Sequence, residues 1–141
     1  MKDLDWSNLS FGYRQTDYNV RCYYRDGKWG EIEVCSDEYL KLHMAATCLH
    51  YGQEAFEGLK AYRCPDGKVR VFRMDENAAR LQSTCRGIMM PEVPTEMFEE
   101  MVKKVVRLNQ EWIPTYESGA TLYIRPLLIG TSAQVGVHPS K

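Results

Sequence analysis

The sequence predicts an α+β fold, a two-layer sandwich in which a mainly antiparallel sheet carries two main helices on one face. Three observations lead to this prediction. Short β-prone segments joined by tight turns fill the first half of the chain, two helical stretches follow, and a further strand comes after them. The third observation is size: 141 residues, 44% of them hydrophobic and 26% charged, are enough to bury a core without disulfides or metals.

The strands are predicted from β-prone residues between turn signals. They are residues 18–25, 29–34, 59–63, 69–73 and 121–129. Asp26-Gly27 predicts a hairpin between the first two strands, and Pro65-Asp66-Gly67 predicts a turn between the third and the fourth. In the fourth strand Val69 and Val71 share one face, as expected for a strand with one buried side.

The two helices are predicted from apolar residues at helical spacing. Asp75 or Asn77 is expected to cap the first helix, which ends at Gly87. The second helix is expected to begin near Thr95 and to end at Pro114. Their apolar stripes are Ala78, Leu81 and Cys85 in the first, and Phe98, Met101, Val102, Val105, Leu108 and Trp112 in the second.

Charge and composition exclude several classes of function. The 18 basic and 19 acidic side chains give a net charge of −1, so no strong basic field is available for nucleic acid or an anionic membrane. No apolar run approaches the roughly 20 residues that a membrane span needs, and the acidic start lacks a signal peptide. None of the five cysteines forms a CxxC pair, and His43 and His50 lack a third ligand. We therefore predict a cytoplasmic protein without a metal site.

Tyr123 and Arg125 lie two residues apart in a predicted strand, so both side chains leave the same face. A phenol beside a guanidinium forms a site for a carboxylate or a phosphate, because arginine offers a planar fork of donors. Taken alone, the pair is more simply explained as an exposed strand face with an ordinary surface arginine. Pro126 places the pair at a sheet edge or at the end of the strand.

Two further features point to a ligand with less force. The segment 49–58 combines aromatic residues with two glycines outside any regular period, which is typical of a backbone that something approaches closely, or of a tight loop. Arg80 lies early in the first predicted helix, where it could bind a phosphate or remain solvated. No nucleophile–base pair is evident, and among the lysines only Lys60 remains a remote candidate for covalent chemistry.

The same residues resemble the branched-chain amino acid aminotransferases, pyridoxal 5′-phosphate (PLP) enzymes of fold type IV. Three stretches carry the resemblance: LHYGQEAFEGLKAYR (49–63), VRVFRMDENAARL (69–81) and LYIRPLLIGTSAQVGVHPS (122–140). The FG and TD of SFGYRQTD (10–17) also match the start of the family's first strand. The resemblance covers only the N-terminal small domain of the family, and it implies that the Schiff-base lysine lies outside this chain.

The resemblance also implies roles for individual residues. Arg80 is similar to the arginine that binds the PLP phosphate, and Arg125 to the group that accepts the distal carboxylate of glutamate or 2-oxoglutarate. The residues similar to the aromatic walls of the substrate pocket are Phe11, Tyr51, Phe56 and Tyr123. Val135 and Val137 are similar to a loop that reaches the partner subunit's site, which implies a homodimer.

The implied function is transfer of the amino group of leucine, isoleucine or valine to 2-oxoglutarate, in amino-acid biosynthesis. Residues 1–130 are expected to form the small domain, and 131–141 the start of an interdomain, substrate-contacting loop; the chain is expected to be inactive alone. Two alternatives remain. One is a D-amino acid aminotransferase or an aminodeoxychorismate lyase of the same fold. The other is a non-catalytic module that binds a carboxylate or a partner through the face of Tyr123 and Arg125.

Overall fold

The computed structural model describes residues 1–141. The strands are β1 (Asn19–Arg21), β2 (Tyr24–Arg25), β3 (Lys28–Trp29), β4 (Glu33–Cys35), β5 (Glu54–Phe56), β6 (Leu59–Arg63), β7 (Val69–Val71), β8 (Leu122–Ile124) and β9 (Leu127–Ile129). The α-helices are α1 (Thr47–Tyr51), α2 (Met74–Gly87) and α3 (Thr95–Leu108), and 3₁₀ turns span Trp6–Asn8, Gln110–Trp112 and Tyr116–Ser118. All strands pair antiparallel, in the ladders β1–β4, β2–β3, β5–β9 and β7–β6–β8. The predicted α+β class is confirmed.

The first predicted hairpin forms, but a bulge interrupts it. Asp26 and Gly27 both have positive φ, 53° and 79°, as a two-residue hairpin turn requires. Three residues, 30–32, separate β3 from β4, whereas two residues, 22–23, separate β1 from β2 on the facing segment. This extra residue divides the predicted long strands into two ladders, as a β-bulge does.

The predicted strand 121–129 is interrupted at Arg125 and Pro126. β8 pairs with β6 and β9 pairs with β5, in one continuous register that places Gly58 opposite Arg125 and Glu57 opposite Pro126. The Glu57 N–H donates to the Pro126 carbonyl (3.0 Å), but proline has no N–H to return the bond. One backbone hydrogen bond therefore remains across these two residues, the return bond is missing, and the strand direction is kept.

The register gives this ladder two different faces, because facing residues share a side. One face carries Leu59, Ala61 and Ile124, which are buried with the α2 stripe and with Phe98, Val102 and Val106 of α3. The other face carries Phe56, Lys60 and Tyr123 and is not covered by the helices. We call it the open face, and Arg125 and Gly58 belong to it by alternation.

The helices follow the predicted stripes, although their ends differ from the prediction. Neither Asp75 nor Asn77 caps α2, which begins at Met74 after Arg73, a residue with φ of 46° and no side-chain capping bond. Asp75 lies in the first turn, where its carboxylate accepts two bonds from Arg73 (both 3.1 Å). α3 begins at Thr95 as predicted, but it ends at Leu108 and continues as a 3₁₀ turn towards Pro114. No helix of the structure combines the length and the apolar character needed to cross a membrane.

Asn109 attaches the N-terminal part of the chain to α3. Its side chain is buried, its Oδ1 accepts from the Tyr18 N–H (3.1 Å), and its Nδ2 donates to the carbonyls of Tyr18 (2.9 Å) and Val105 (2.8 Å). The Asn109 amide thus makes three hydrogen bonds, all of them with backbone groups. It therefore fixes the position of the chain just before the first strand relative to the helix.

Candidate functional site

The centre of the candidate site is a pair of side chains on the open face. The Arg125 guanidinium donates to the Tyr123 hydroxyl through Nη2 (3.1 Å), with Nε slightly further away (3.4 Å). Arg125 is exposed and its hydrogen bonds go only to the Tyr123 hydroxyl, so its remaining N–H groups are free for an anionic ligand. The alternation in the sequence predicted this adjacency.

Two aromatic rings complete the group around Arg125. The guanidinium carbon stacks over the Phe56 ring, 4.5 Å from its centroid, and lies 5.3 Å from that of Tyr123. The Phe11 ring meets the Tyr123 ring edge to face, with centroids 5.3 Å apart. Phe11 and Phe56 are 83% and 58% exposed, which is unusual for rings that pack only within a single chain. We call Phe11, Phe56, Tyr123 and Arg125 the aromatic–arginine cluster.

Gly58 explains how the cluster fits together. A Cβ at this position would lie 2.6 Å from the Tyr123 hydroxyl oxygen and 3.2–3.3 Å from two ring carbons. The sequence predicted close approach to the glycines of segment 49–58, and at Gly58 the approaching group is a side chain of the same chain. Only glycine leaves space for the phenol beside Arg125.

Arg80 lies on the helix side of the strand layer, in contact with a residue that sequence reasoning missed. It is the seventh residue of α2, so it is too far from the helix N-terminus to use the helix dipole, contrary to what its early position suggested. Its Nε and Nη2 donate to the two carboxylate oxygens of Glu57 (2.8 and 2.6 Å). Glu57 also accepts from the Asn77 amide (2.9 Å). The Arg80 guanidinium and this amide hold the pKa of the Glu57 carboxyl below its usual range.

The burial of Glu57 was detectable in the sequence. Ala55, Glu57, Leu59 and Ala61 are all buried and alternate with exposed residues, so the acid occupies a core-facing position of a period-two pattern. A buried acid at such a position requires a hydrogen-bonding cationic partner, which the exposed Arg80 supplies. The missing clue was that the irregular-looking segment 49–58 contains the strand β5 and continues into β6.

A third group of predicted residues lies around the C-terminal loop. The Tyr51 hydroxyl accepts from the Gly136 N–H (2.7 Å), between the exposed Val135 and Val137. The Ser132 and Ser140 hydroxyls (2.9 Å apart) close this loop. No hydrogen bond or ring contact joins Tyr51 to Tyr123 or Arg125. The structure therefore brings Phe11, Phe56, Tyr123 and Arg125 together, and leaves Tyr51, Val135 and Val137 as a separate group.

The lysines provide no buried amine. None is buried, and Lys60, opposite Tyr123 in the ladder, is exposed on the open face. A Schiff-base lysine is normally desolvated, and nothing around Lys60 does this. No group of three or more histidine, cysteine or acidic side chains is arranged to hold a metal ion.

The antiparallel ladder with α2 and α3 on one side is consistent with the small domain of fold type IV aminotransferases. No family model matches the sequence. The chain is 53% identical over 137 residues, 97% of its length, to the branched-chain-amino-acid aminotransferase of Haemophilus influenzae. The chain is thus homologous to the branched-chain-amino-acid aminotransferases. It spans about 40% of the length of the curated relatives it matches.

Solved structures of branched-chain amino acid aminotransferases share the fold of this chain. The branched-chain amino acid aminotransferase of Escherichia coli matches with a TM-score of 0.66 at 27% identity, over 88% of this chain and 35% of the other. The T.th. enzyme, complexed with N-(5′-phosphopyridoxyl)-L-glutamate, matches with a TM-score of 0.59 at 29% identity, over 74% and 33%. The expected resemblance and fold class are confirmed.

Proposed function

We propose that this chain is the N-terminal small domain of a PLP-dependent branched-chain aminotransferase, which transfers the amino group of leucine, isoleucine or valine to 2-oxoglutarate. The observation that carries the proposal is the aromatic–arginine cluster. One pocket must accept both an aliphatic and an acidic side chain, and aromatic rings with a guanidinium between them offer both surfaces. Similarity to aminotransferases along 97% of the chain supports the same conclusion.

The residues present fit the phosphate of the cofactor. Arg80 is 68% exposed, and no hydrogen bond engages its Nη1 group, so a phosphate can accept two or more N–H bonds from it. PLP, when bound, supplies an electrophilic carbonyl for the amino group and a conjugated ring that accepts electrons released at the α-carbon. The lysine that carries it is proposed to lie in the remainder of the enzyme, because no lysine here is buried.

The proposed work of this chain is therefore binding and orientation. Arg80 holds the phosphate end of the cofactor, and Arg125 receives the distal carboxylate of glutamate or 2-oxoglutarate through its free N–H groups. Phe11, Phe56 and Tyr123 exclude water from the aliphatic side chain of the branched substrates. Burial of one leucine-sized side chain against such walls is worth about 1.5–3 kcal/mol.

Val135 and Val137 are proposed to reach the site of a second copy of the chain, and Tyr51 is proposed to be an aromatic wall of the substrate pocket that also holds their loop. The two valines are 75% and 89% exposed on a loop that the Tyr51 hydroxyl holds at Gly136, so the loop is suited to enter a neighbouring site. We propose a cytoplasmic homodimer in which residues 131–141 form this loop and residues 1–130 the domain that presents it. Light scattering of the full-length protein at twice the monomer mass is the expected result, and a monomer would contradict it.

The experiment that tests the function is a substrate comparison. The full-length protein that carries this chain is assayed with L-leucine and with D-alanine, both with 2-oxoglutarate. Transfer from L-leucine and not from D-alanine is expected, whereas the reverse would indicate a D-amino acid aminotransferase. The 141-residue chain alone, treated with PLP and borohydride, should yield no lysine labelled in stoichiometric amount. A label on Lys60 would contradict the proposed division of work.

A further inference from the structure

Glu57 is a buried acid for which the proposed function assigns no role. Its side chain is 3% exposed, and it is the one acidic residue among the buried residues of the chain. It faces α2, on the side of the strand layer opposite the aromatic–arginine cluster. A carboxylate is buried only when it is paired and hydrogen-bonded, because the loss of its hydration is costly.

The pairing between Glu57 and Arg80 fixes a plane. The two carboxylate oxygens engage Nε and Nη2, which together form one edge of the guanidinium. Since a guanidinium is planar, two bonds along one edge determine the direction of the remaining N–H groups, those of Nη1 and the second one of Nη2. These point away from the buried carboxylate, in a side chain that is otherwise 68% exposed.

The same acid is itself held in place from two directions. Asn77, one turn before Arg80 on α2, donates to Oε2 (2.9 Å) and lies 3.3 Å from the Gly58 carbonyl. The Glu57 N–H donates to the carbonyl of Pro126, the residue that follows Arg125. One residue thus connects the helix that carries Arg80 with the strand segment that carries Arg125.

We propose that Glu57 is a positioning residue, whose buried carboxylate holds the Arg80 guanidinium in the orientation that binds a phosphate monoester. The proposal rests on the proposed function, in which Arg80 is the phosphate ligand. It makes a prediction opposite in sign to simple electrostatics. Removing a negative charge next to Arg80 should strengthen anion binding if only charge mattered. Releasing the side chain should weaken it if orientation matters, because a mobile arginine loses rotamer entropy on binding.

The test uses the full-length protein that carries this chain. Binding of pyridoxamine 5′-phosphate, the probe, and of unphosphorylated pyridoxamine, the control ligand, is measured by ligand fluorescence. Glu57→Gln keeps the size of the side chain, but an amide NH₂ group replaces one of the two carboxylate oxygens that accept from Arg80. We expect it to weaken binding of the phosphorylated probe about fivefold, with no change for pyridoxamine. Nitrogen-15 NMR should show a distinct, slowly exchanging Arg80 Nε–H signal in the unmodified chain that is lost in Glu57→Gln.

A matched control is the ion pair between Asp66 and Arg70. It also has two bonds to one carboxylate, here from Nη1 and Nη2 (2.9 and 2.8 Å), but it is exposed and lies at the turn between β6 and β7. Asp66→Asn should leave probe binding and the Arg80 signal unchanged. Arg80→Ala should abolish most of the affinity for the phosphorylated probe, and adding Glu57→Gln to it should have no further effect.

The outcomes separate the two ideas. Binding by Glu57→Gln that equals or exceeds that of the unmodified chain, while Arg80→Ala is impaired, would overturn the positioning role and keep Arg80 as the phosphate ligand. No binding by the unmodified chain, or no effect of Arg80→Ala, would overturn both. If Glu57→Gln does not fold, Asn77→Ala replaces it, since it removes one donor to the carboxylate and keeps the charge pair. About twofold weaker binding is then expected, and unchanged binding would overturn the proposal.

Discussion

Gly58→Ala tests whether the space beside Tyr123 is needed for substrate binding. The added methyl group would lie 2.6 Å from the Tyr123 hydroxyl oxygen, so the ring must move by about 0.8 Å to restore an ordinary contact near 3.4 Å. The bond from Arg125 Nη2 to that oxygen is 3.1 Å long, and a displacement of this size away from the guanidinium breaks it. The Phe11 ring, whose centroid lies 5.3 Å from that of Tyr123, restricts how the Tyr123 ring can move.

We expect Gly58→Ala to affect substrate binding more than the free energy of unfolding. Overpacking costs about 1–3 kcal/mol, but alanine in place of glycine recovers about 0.4–1 kcal/mol from the unfolded state, since the φ of Gly58 is not positive. We expect a net loss of about 1 kcal/mol in the free energy of unfolding. Displacement of the Arg125 partner should weaken binding of a distal carboxylate about tenfold, a difference of about 1.4 kcal/mol.

The assay measures KM in the full-length protein, together with urea unfolding of the chain. Gly58→Ala should raise KM for 2-oxoglutarate about tenfold and KM for L-leucine by less than about threefold. Gly87→Ala is the control: nothing lies within 4 Å of a Cβ at the end of α2, so it should leave both KM values unchanged and stabilise the helix by about 0.5–1 kcal/mol. Equal increases for both substrates, or none, would refute the reasoning.

Three further predictions concern stability and the C-terminal loop. Asn109→Ala should lower the free energy of unfolding in urea by about 2–3 kcal/mol, because it leaves the Tyr18 backbone groups unpaired, and a loss below about 0.5 kcal/mol would contradict this. The folded-state pKa of Glu57 lies below its ordinary value of 4.5, so its stabilising effect is complete above that pH and disappears as the pH falls through the lowered pKa. The stability difference between the unmodified chain and Glu57→Gln should therefore be constant well above pH 4.5 and shrink as the pH falls below it, and a constant difference throughout would count against the Glu57–Arg80 pair. Tyr51→Phe should accelerate hydrogen exchange at the Gly136 amide about tenfold; unchanged exchange would show that the hydroxyl does not hold the loop.

The parts of the fold that were predictable are those in which local pattern and tertiary packing agree. β6 and the start of α3 coincide with the prediction, because a period-two strand and a proline followed by an amphipathic stripe leave little choice. The start of α2 was not predictable from capping preferences. It begins after Arg73 in a left-handed conformation without a side-chain capping bond, and Arg73 forms ion pairs with Asp75 and Glu76 of the first turn.

The site shows the same division. The adjacency of Tyr123 and Arg125 follows from alternation along one strand, which the sequence displays. The approach of Phe11 depends on tertiary packing of residues more than a hundred positions apart, which no local pattern encodes. The burial of Glu57 could have been predicted, because the residue occupies a period-two position between Ala55 and Leu59. That prediction requires residues 54–56 to be recognised as a strand first.

The alternation of the ladder has a consequence for how this domain can change. Phe56 and Glu57 are neighbours in sequence, yet one meets the solvent side and the other the helices, so mutation of one need not disturb the surroundings of the other. Residues of the proposed substrate pocket and residues of the core therefore alternate along the same strand. A library that randomises Phe56, Tyr123 and Leu127 while keeping Ala55 and Glu57 should retain a high fraction of folded members. Random substitution at the intervening positions should mostly yield unfolded chains.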